Sequence, residues 1–264
     1  MFERHPEVAY WIEPRSVWVH GNAYRKDDEL SAEDLTERIA RYIDGRFVRF
    51  MERRGRRRFA EKTPSNCLRI RFILALYPDC KLINIIRDGR AVVRSVPQIQ
   101  KRPPRKGLIS KRLKETPVWD LPAYIPHFFR TTWQTKIRKK RSVYWGPRPA
   151  GWREWIGLPP HILAARQWKA MVGKTIEDTA GLPGERYREV RFERLMREPA
   201  GVLGELVEFA ELSPCQEMID FAQAQIEPDR SRKWVSTITV EQGREIAAEL
   251  EPLLSQLGYT GAEQ

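Results

Sequence analysis

Apolar side chains recur at helical spacing through Leu35, Ile39, Tyr42, Ile43, Phe47, Phe50 and Met51, and Ser31 to Asp34 just ahead of them has the form of a helix cap. That periodicity predicts a long amphipathic helix. The basic run from Arg53 to Arg58 ends it and reads as a solvated helix end. A tighter alternation follows. Arg58 to Ala60 reads as the end of a short strand, Glu61 to Pro64 as a turn, and Asn66 to Tyr77 as a helix broken by Pro78 and Asp79. Lys81 to Ile86 is an apolar run of strand length, and a second helix is predicted to start near Asp88. Strands alternating with helices over short connections predict an α/β fold with a parallel sheet and crossover helices.

From Pro97 to Trp155 the pattern is lost. Prolines are frequent, five tryptophans occur (Trp119, Trp133, Trp145, Trp152, Trp155), and basic residues from Lys101 to Arg141 are dense. This segment is predicted to be an elaborated insertion, spanning about 97–160, beside the active edge of the sheet, where lids and substrate loops sit. Its tryptophans fit a local core, stacking on sugar rings, or packing on lipid. Regular elements resume with a helix over about His161–Asp178, a strand over Tyr187–Phe192, a helix reaching Leu212 and another over Gln216–Ile226. Thr239 to Gln242 has the form of a capping box, opening a last helix that Pro252 is expected to kink or interrupt and Gly258 to stop.

At 264 residues the chain is long enough for a substantial core, and it is taken as one domain over 1–264. A hydrophobic share of 41% with 10% aromatics is that of a folded protein. The formal charge of +12 favours an anionic partner: a nucleic acid, a membrane surface, an acidic polymer or a phosphorylated small molecule. Cys67, Cys80 and Cys215 are too far apart to suggest a disulfide framework or a zinc ribbon, and the four histidines add no metal-ligand spacing, so no metal site is expected. There is no run near the ~18 apolar residues of a membrane span, and the start, Met1 to Trp11, has no apolar core of a signal peptide. A reduced, soluble, cytoplasmic protein is the expectation.

Two predicted strands end in cations, Lys62 just past Ala60 and Arg87 just past Ile86, and each is followed by the start of a helix. Ligands of open parallel sheets bind beyond the strands' carboxyl ends. Helix N-termini add unpaired N–H groups and partial positive charge there, and the planar fork of an arginine grips two oxyanion oxygens together. The pattern suits a phosphate- or sulfate-bearing ligand. Read alone, Arg87 fits equally well as the partner of Asp88.

Lys81 to Val96, preceded by Glu61 to Pro64, resembles the sulfotransferases that use 3′-phosphoadenylyl sulfate (PAPS), in the bacterial branch similar to tyrosylprotein and carbohydrate sulfotransferases. The resemblance covers most of the chain and implies a P-loop-NTPase-like parallel sheet flanked by helices. It implies that Arg87 and Ser95 hold the donor's 3′-phosphate. Glu13, in a segment opened by His5 to Val8, would be the general base, and Arg15 would orient the acceptor or sulfuryl group. Lys62 would steady the transferring group. Lys233, with Trp234, would lie by the donor phosphates, and Arg191 to Leu195 with Pro199 resembles the family's strand-end signature. The implied reaction moves a sulfuryl group from PAPS to the hydroxyl of a saccharide, peptide tyrosine or small molecule. It leaves adenosine 3′,5′-bisphosphate and needs no metal.

Two features depart from the family pattern. The Gly-containing loop that binds the 5′-phosphosulfate, and the central strand before it, are not found, so the expectation is a truncated start with weak or lost activity. Phe192 stands where the family usually has tyrosine. Two alternatives remain open at this point: a non-catalytic module binding nucleotides or polyanions through its basic surface, and a P-loop kinase, which shares the fold but whose G-x-x-x-x-G-K-[ST] motif is absent. Nucleic acid is not the expected partner.

Overall fold

Four short strands pair in parallel as two ribbons in the computed structural model, which describes residues 1–101, 144, 146–226 and 238–259. Strand β1 (Val8–Ile12) lies in register beside β2 (Arg58–Lys62), Val8 opposite Arg58 and Ile12 opposite Lys62. Strand β3 (Leu82–Ile86) lies beside β4 (Tyr187–Arg191), Leu82 opposite Tyr187 and Ile86 opposite Arg191. Among the described residues the helices are α1 (Arg15–Trp18), α2 (Glu37–Glu52), α3 (Ile70–Leu76), α4 (Gly89–Lys101), α5 (Pro160–Thr179), α6 (Phe192–Arg197), α7 (Pro199–Phe209), α8 (Gln216–Gln225) and α9 (Val240–Gln256). The predicted parallel α/β pattern is present, although among the described residues the strands form two pairs and not one continuous sheet. Most of the predicted insertion, and the basic set within it apart from Lys101, lies outside the described residues, as does Lys233.

Alternation along the strands divides the core. Val8 and Tyr10, with Ala60 and Ile83, pack against Val202, Leu203, Leu206 and Met218 of α7 and α8. Trp11, Phe59 and Leu82 pack on the other side, against Ile39, Ile43 and Phe47 of α2 and Phe72 of α3. Parallel strands buried on both faces carry apolar residues of either parity, and this sandwich accounts for them. Trp11 stacks on Phe50 with ring centroids 4.3 Å apart, and Phe47 stacks on Phe59 at the same separation. A third core joins Val93 of α4, Trp168 of α5, and Leu250 and Leu254 of α9.

Several boundaries differ from the sequence reading for identifiable reasons. The Ser31 cap opens only a 3-10 turn over Ala32–Asp34; α2 starts later, where Thr36 Oγ1 accepts from the Ile39 amide at 3.3 Å. The helix predicted over Asn66–Tyr77 is split. A 3-10 turn covers Pro64–Leu68, and Arg69, with a non-helical backbone, separates it from α3 while bonding back to Ser65 through Nε and Nη2. Pro252 does not interrupt α9, which runs through it because Ile246, Leu250, Leu253 and Leu254 are all buried on one face. Packing here outweighs the cost of a mid-helix proline. The helix stops as predicted, with Gly258 at a left-handed φ of 74° and the Tyr259 amide bonding back to the Leu254 carbonyl at 2.9 Å. Strand β1 itself, short and not alternating, carries no predicted element.

Candidate active site

Glu13 follows β1 directly, and Lys62 is the last residue of β2. The ladder continues one step past the strand because the Glu13 amide donates to the Lys62 carbonyl at 3.2 Å. This register sets the two side chains together, Lys62 Nζ 3.5 Å from Glu13 Oε1. Glu13 adopts φ 50°, left-handed for a non-glycine residue, and Pro14 after it (φ −73°, ψ 54°) forms a three-residue turn in which the Arg15 amide donates to the Glu13 carbonyl at 2.7 Å. A non-glycine residue held in this backbone region costs energy that the surroundings have to hold, and such residues cluster at functional sites.

The Arg15 guanidinium reaches Asp28, with Nη2 at 3.5 Å from Oδ2. Asp28 is the anchor of this end of the molecule. Its Oδ1 accepts from Arg148 Nη2 at 2.7 Å, its Oδ2 accepts from the Arg148 amide at 3.0 Å, and its own amide donates to the Arg148 carbonyl at 2.8 Å. The stitching continues as the Ala150 amide donates to Glu29 Oε1 and Trp152 Nε1 donates to the Lys26 carbonyl. Burial pushes the Asp28 carboxyl up, but the hydrogen bonds and charge of Arg148, with the charge of Arg15, hold it below its ordinary value.

Beneath this layer lie two further ionisable groups. Arg69 is fully buried, and burial pushes its guanidinium down to about 10 against the opposing charge of Asp28. Glu61, one residue before Lys62, accepts from Thr63 Oγ1 at 2.8 Å and from Asn66 Nδ2, and burial pushes its carboxyl up despite those donors. None of Asp28, Glu61, Arg69 or Arg148 stands out in the sequence. Asp28 and Arg148 meet across 120 residues, which local pattern does not encode. Glu61 and Arg69 bond to near neighbours, Thr63, Asn66 and Ser65, through side-chain geometry that periodicity does not register.

Arg87 follows β3, the partner strand of β4, in the other ribbon. Its guanidinium rests over the Phe192 ring, 4.7 Å from the centroid, and among the described residues no carboxylate pairs with it. Asp88, the alternative partner, is committed to Arg90: Oδ1 accepts from the Arg90 amide at 2.8 Å, capping α4, and Oδ2 accepts from Nη2 at 2.7 Å. The fork of Arg87 is therefore presented on an aromatic rest at a helix N-terminus, which fits an incoming phosphate. Ser95 lies two turns into α4, nearly buried, with Oγ donating to the Val92 carbonyl at 2.7 Å. To donate to a phosphate it has to rotate about χ1. Glu13 and Lys62 thus meet, Arg15 is paired with Asp28, Arg87 follows β3, and Ser95 lies in α4. Among the described residues there is no group of three or more His, Cys, Asp or Glu set to hold a metal, and no helix is long and apolar enough to cross a membrane.

Residues 10–121 match the sequence model of the sulfotransferase family, a span that contains Glu13, Arg15, Lys62, Arg87 and Ser95. Among solved structures the chain is similar to a sulfotransferase domain from the curacin biosynthetic pathway, at 15% identity and a TM-score of 0.43, over 79% of this chain and 68% of that one. No curated protein matches the chain significantly.

Proposed function

We propose that this chain is a sulfotransferase that moves a sulfuryl group from PAPS to an acceptor hydroxyl. The observation that carries the reading is the match of residues 10–121 to the sulfotransferase family, within which charged groups stand at the carboxyl ends of both strand pairs. Bound PAPS supplies an activated sulfuryl group on a phosphate leaving oxygen. On this reading Arg87 grips the 3′-phosphate with its planar fork, Ser95 adds a hydroxyl once rotated from the Val92 carbonyl, and Lys233 lies by the donor phosphates. Glu13 takes the acceptor proton at Oε1 or Oε2, a contribution on the order of 10²–10⁴ in rate. Lys62 offsets charge on the transferring group, and Arg15 orients the acceptor from its seat on Asp28. The acceptor is a saccharide, a peptide tyrosine or a small molecule.

Calorimetric titration with adenosine 3′,5′-bisphosphate tests the donor site directly. The parent chain is expected to bind, and Arg87→Ala to bind roughly tenfold to a hundredfold more weakly, as expected for loss of charge-assisted hydrogen bonds. Equal affinity of the two would sink the assignment.

A further inference from the structure

The peptide bond joining Arg87 to Asp88 is held at both of its polar ends by side chains from other elements. Its carbonyl, Arg87 O, accepts from Trp168 Nε1 of α5 at 3.2 Å. Its amide, Asp88 N, donates to Glu193 Oε1 of α6 at 3.1 Å. A peptide unit is planar, so two such holds from different directions prevent it from rotating and fix the torsions on either side. The Arg87 Cα lies at one end of that plane. The direction in which its side chain leaves the strand is therefore set by Trp168 and Glu193.

Both holding groups are themselves held. Trp168 is buried, and its indole lies so close to the start of α4 that a Cβ on Gly89 would come within 2.8 Å of Trp168 Cε3 and 2.9 Å of Leu250 Cδ1. Glycine at position 89 is what admits the ring. Glu193 Oε2 accepts from the Tyr259 hydroxyl at 3.1 Å, and the Tyr259 carbonyl in turn accepts from Arg90 Nη2 at 3.4 Å. Helices α5 and α6 thus meet at one peptide plane, and Tyr259, just past α9, backs the hold from α6.

We propose that Trp168 and Glu193 are positioning residues for donor binding, acting through the backbone of Arg87 and touching no part of the nucleotide. This rests on the reading of Arg87 as the phosphate ligand. The experiment titrates adenosine 3′,5′-bisphosphate into Trp168→Phe, which keeps an aromatic ring in the core and removes the indole N–H together with the fused ring, and into Glu193→Ala and Glu193→Gln, each also in an Arg87→Ala background. Amide hydrogen exchange at Asp88 is followed in the same set without ligand. Trp168→Phe and Glu193→Ala are expected to weaken binding about tenfold, while Glu193→Gln, whose amide oxygen still accepts, stays within about twofold of the parent. In the Arg87→Ala background neither substitution should cost anything further, because the group they position is gone. Asp88 exchange should quicken in Trp168→Phe and Glu193→Ala, while that of Val93 in α4 holds.

Parental affinity in both variants, or the same loss with Arg87 already removed, overturns the proposal. Unchanged Asp88 exchange in both variants refutes the clamp itself. A parent that fails to bind the nucleotide while Asp88 exchange still responds to both substitutions counts against the donor-site reading, and not against the clamp.

Discussion

Lys62 Nζ stands 3.5 Å from Glu13 Oε1, across the ends of two strands whose pairing continues one hydrogen bond beyond the sheet. The register of β1 on β2 makes this contact, so neither side chain has to be held by its own rotamer alone. If Glu13 is the base, Glu13→Gln is expected to lower sulfuryl transfer on the order of 10²–10⁴-fold while affinity for adenosine 3′,5′-bisphosphate stays within about twofold. Transfer from labelled PAPS to a panel of saccharide, phenol and peptide acceptors measures the first quantity, and calorimetry the second. A loss of nucleotide affinity matching that of Arg87→Ala would remove Glu13 from the acceptor side.

Glu13 also carries backbone strain, at φ 50° immediately before a proline. Glycine adopts that conformation freely, whereas other residues incur a cost of about 1 kcal/mol or more. The ion pair to Lys62, exposed on the lysine side, contributes about 0–1 kcal/mol. Glu13→Gly is therefore expected to fold with stability equal to the parent or higher by up to about 1 kcal/mol, and to be inactive. Urea unfolding decides the point: a marked loss of stability would mean that the strain reading is wrong.

Asp28 gives a pH signature. Its carboxyl is held below the ordinary value by Arg148 and Arg15, against burial. A depressed carboxyl adds stability that is present above its unfolded pKa, near 4, and is lost as pH falls through the lower folded value. At neutral pH Asp28→Asn leaves two partly exposed guanidinium groups without their shared anion, a cost of about 2 kcal/mol after discounting for solvent. The difference in thermal stability between the parent and Asp28→Asn should shrink as pH is lowered from 7 toward 3. A gap that stays constant across that range would show that the carboxylate charge is not what holds Arg148 in place.

Much of this arrangement can be read from local pattern, and what cannot has physical reasons. The amphipathic face of α2, strands β3 and β4, and the capping box of α9 follow from periodicity and cap chemistry, which act over a few residues. Strand β1 is five residues with apolar side chains of both parities, the form a doubly buried strand takes and the form periodicity reads least well. Arg69 breaks its predicted helix because its own side chain bonds back to Ser65 from a buried position. Asp28 and Arg148 lie 120 residues apart, and Trp168 and Arg87 lie 81 apart. Their meeting depends on tertiary packing. The strand-end placement of Lys62 and Arg87 was legible because each closes or follows a run of strand length just ahead of a turn.

Gly89→Ala tests the closeness of that packing. The added methyl would fall 2.8 Å from Trp168 Cε3, well inside van der Waals contact, and helix propensity alone would favour alanine. Overpacking is expected to prevail, destabilising the chain by about 1–3 kcal/mol. Combining it with Trp168→Leu, which withdraws the ring, should recover part of the loss. Thermal unfolding of the two single variants and the double variant measures this, and additive losses would contradict the contact.

Glu61 should behave in the opposite sense to Asp28. Burial pushes its carboxyl up, in spite of the hydrogen bonds from Thr63 and Asn66. A raised carboxyl favours folding fully below the unfolded pKa, near 4.3, and that contribution is lost as pH rises through the folded value, because the interior then has to hold the charge. Glu61→Gln keeps an acceptor for Thr63 and carries no charge, and Asn66 Oδ1, which has no partner among the described residues, can receive the new amide. Relative to the parent, Glu61→Gln should therefore gain stability as pH rises from about 4 to 7, reversing the trend expected when the parent is compared with Asp28→Asn. A stability difference between Glu61→Gln and the parent that is flat with pH would mean that Glu61 is charged in the folded chain to the same extent as in the unfolded one.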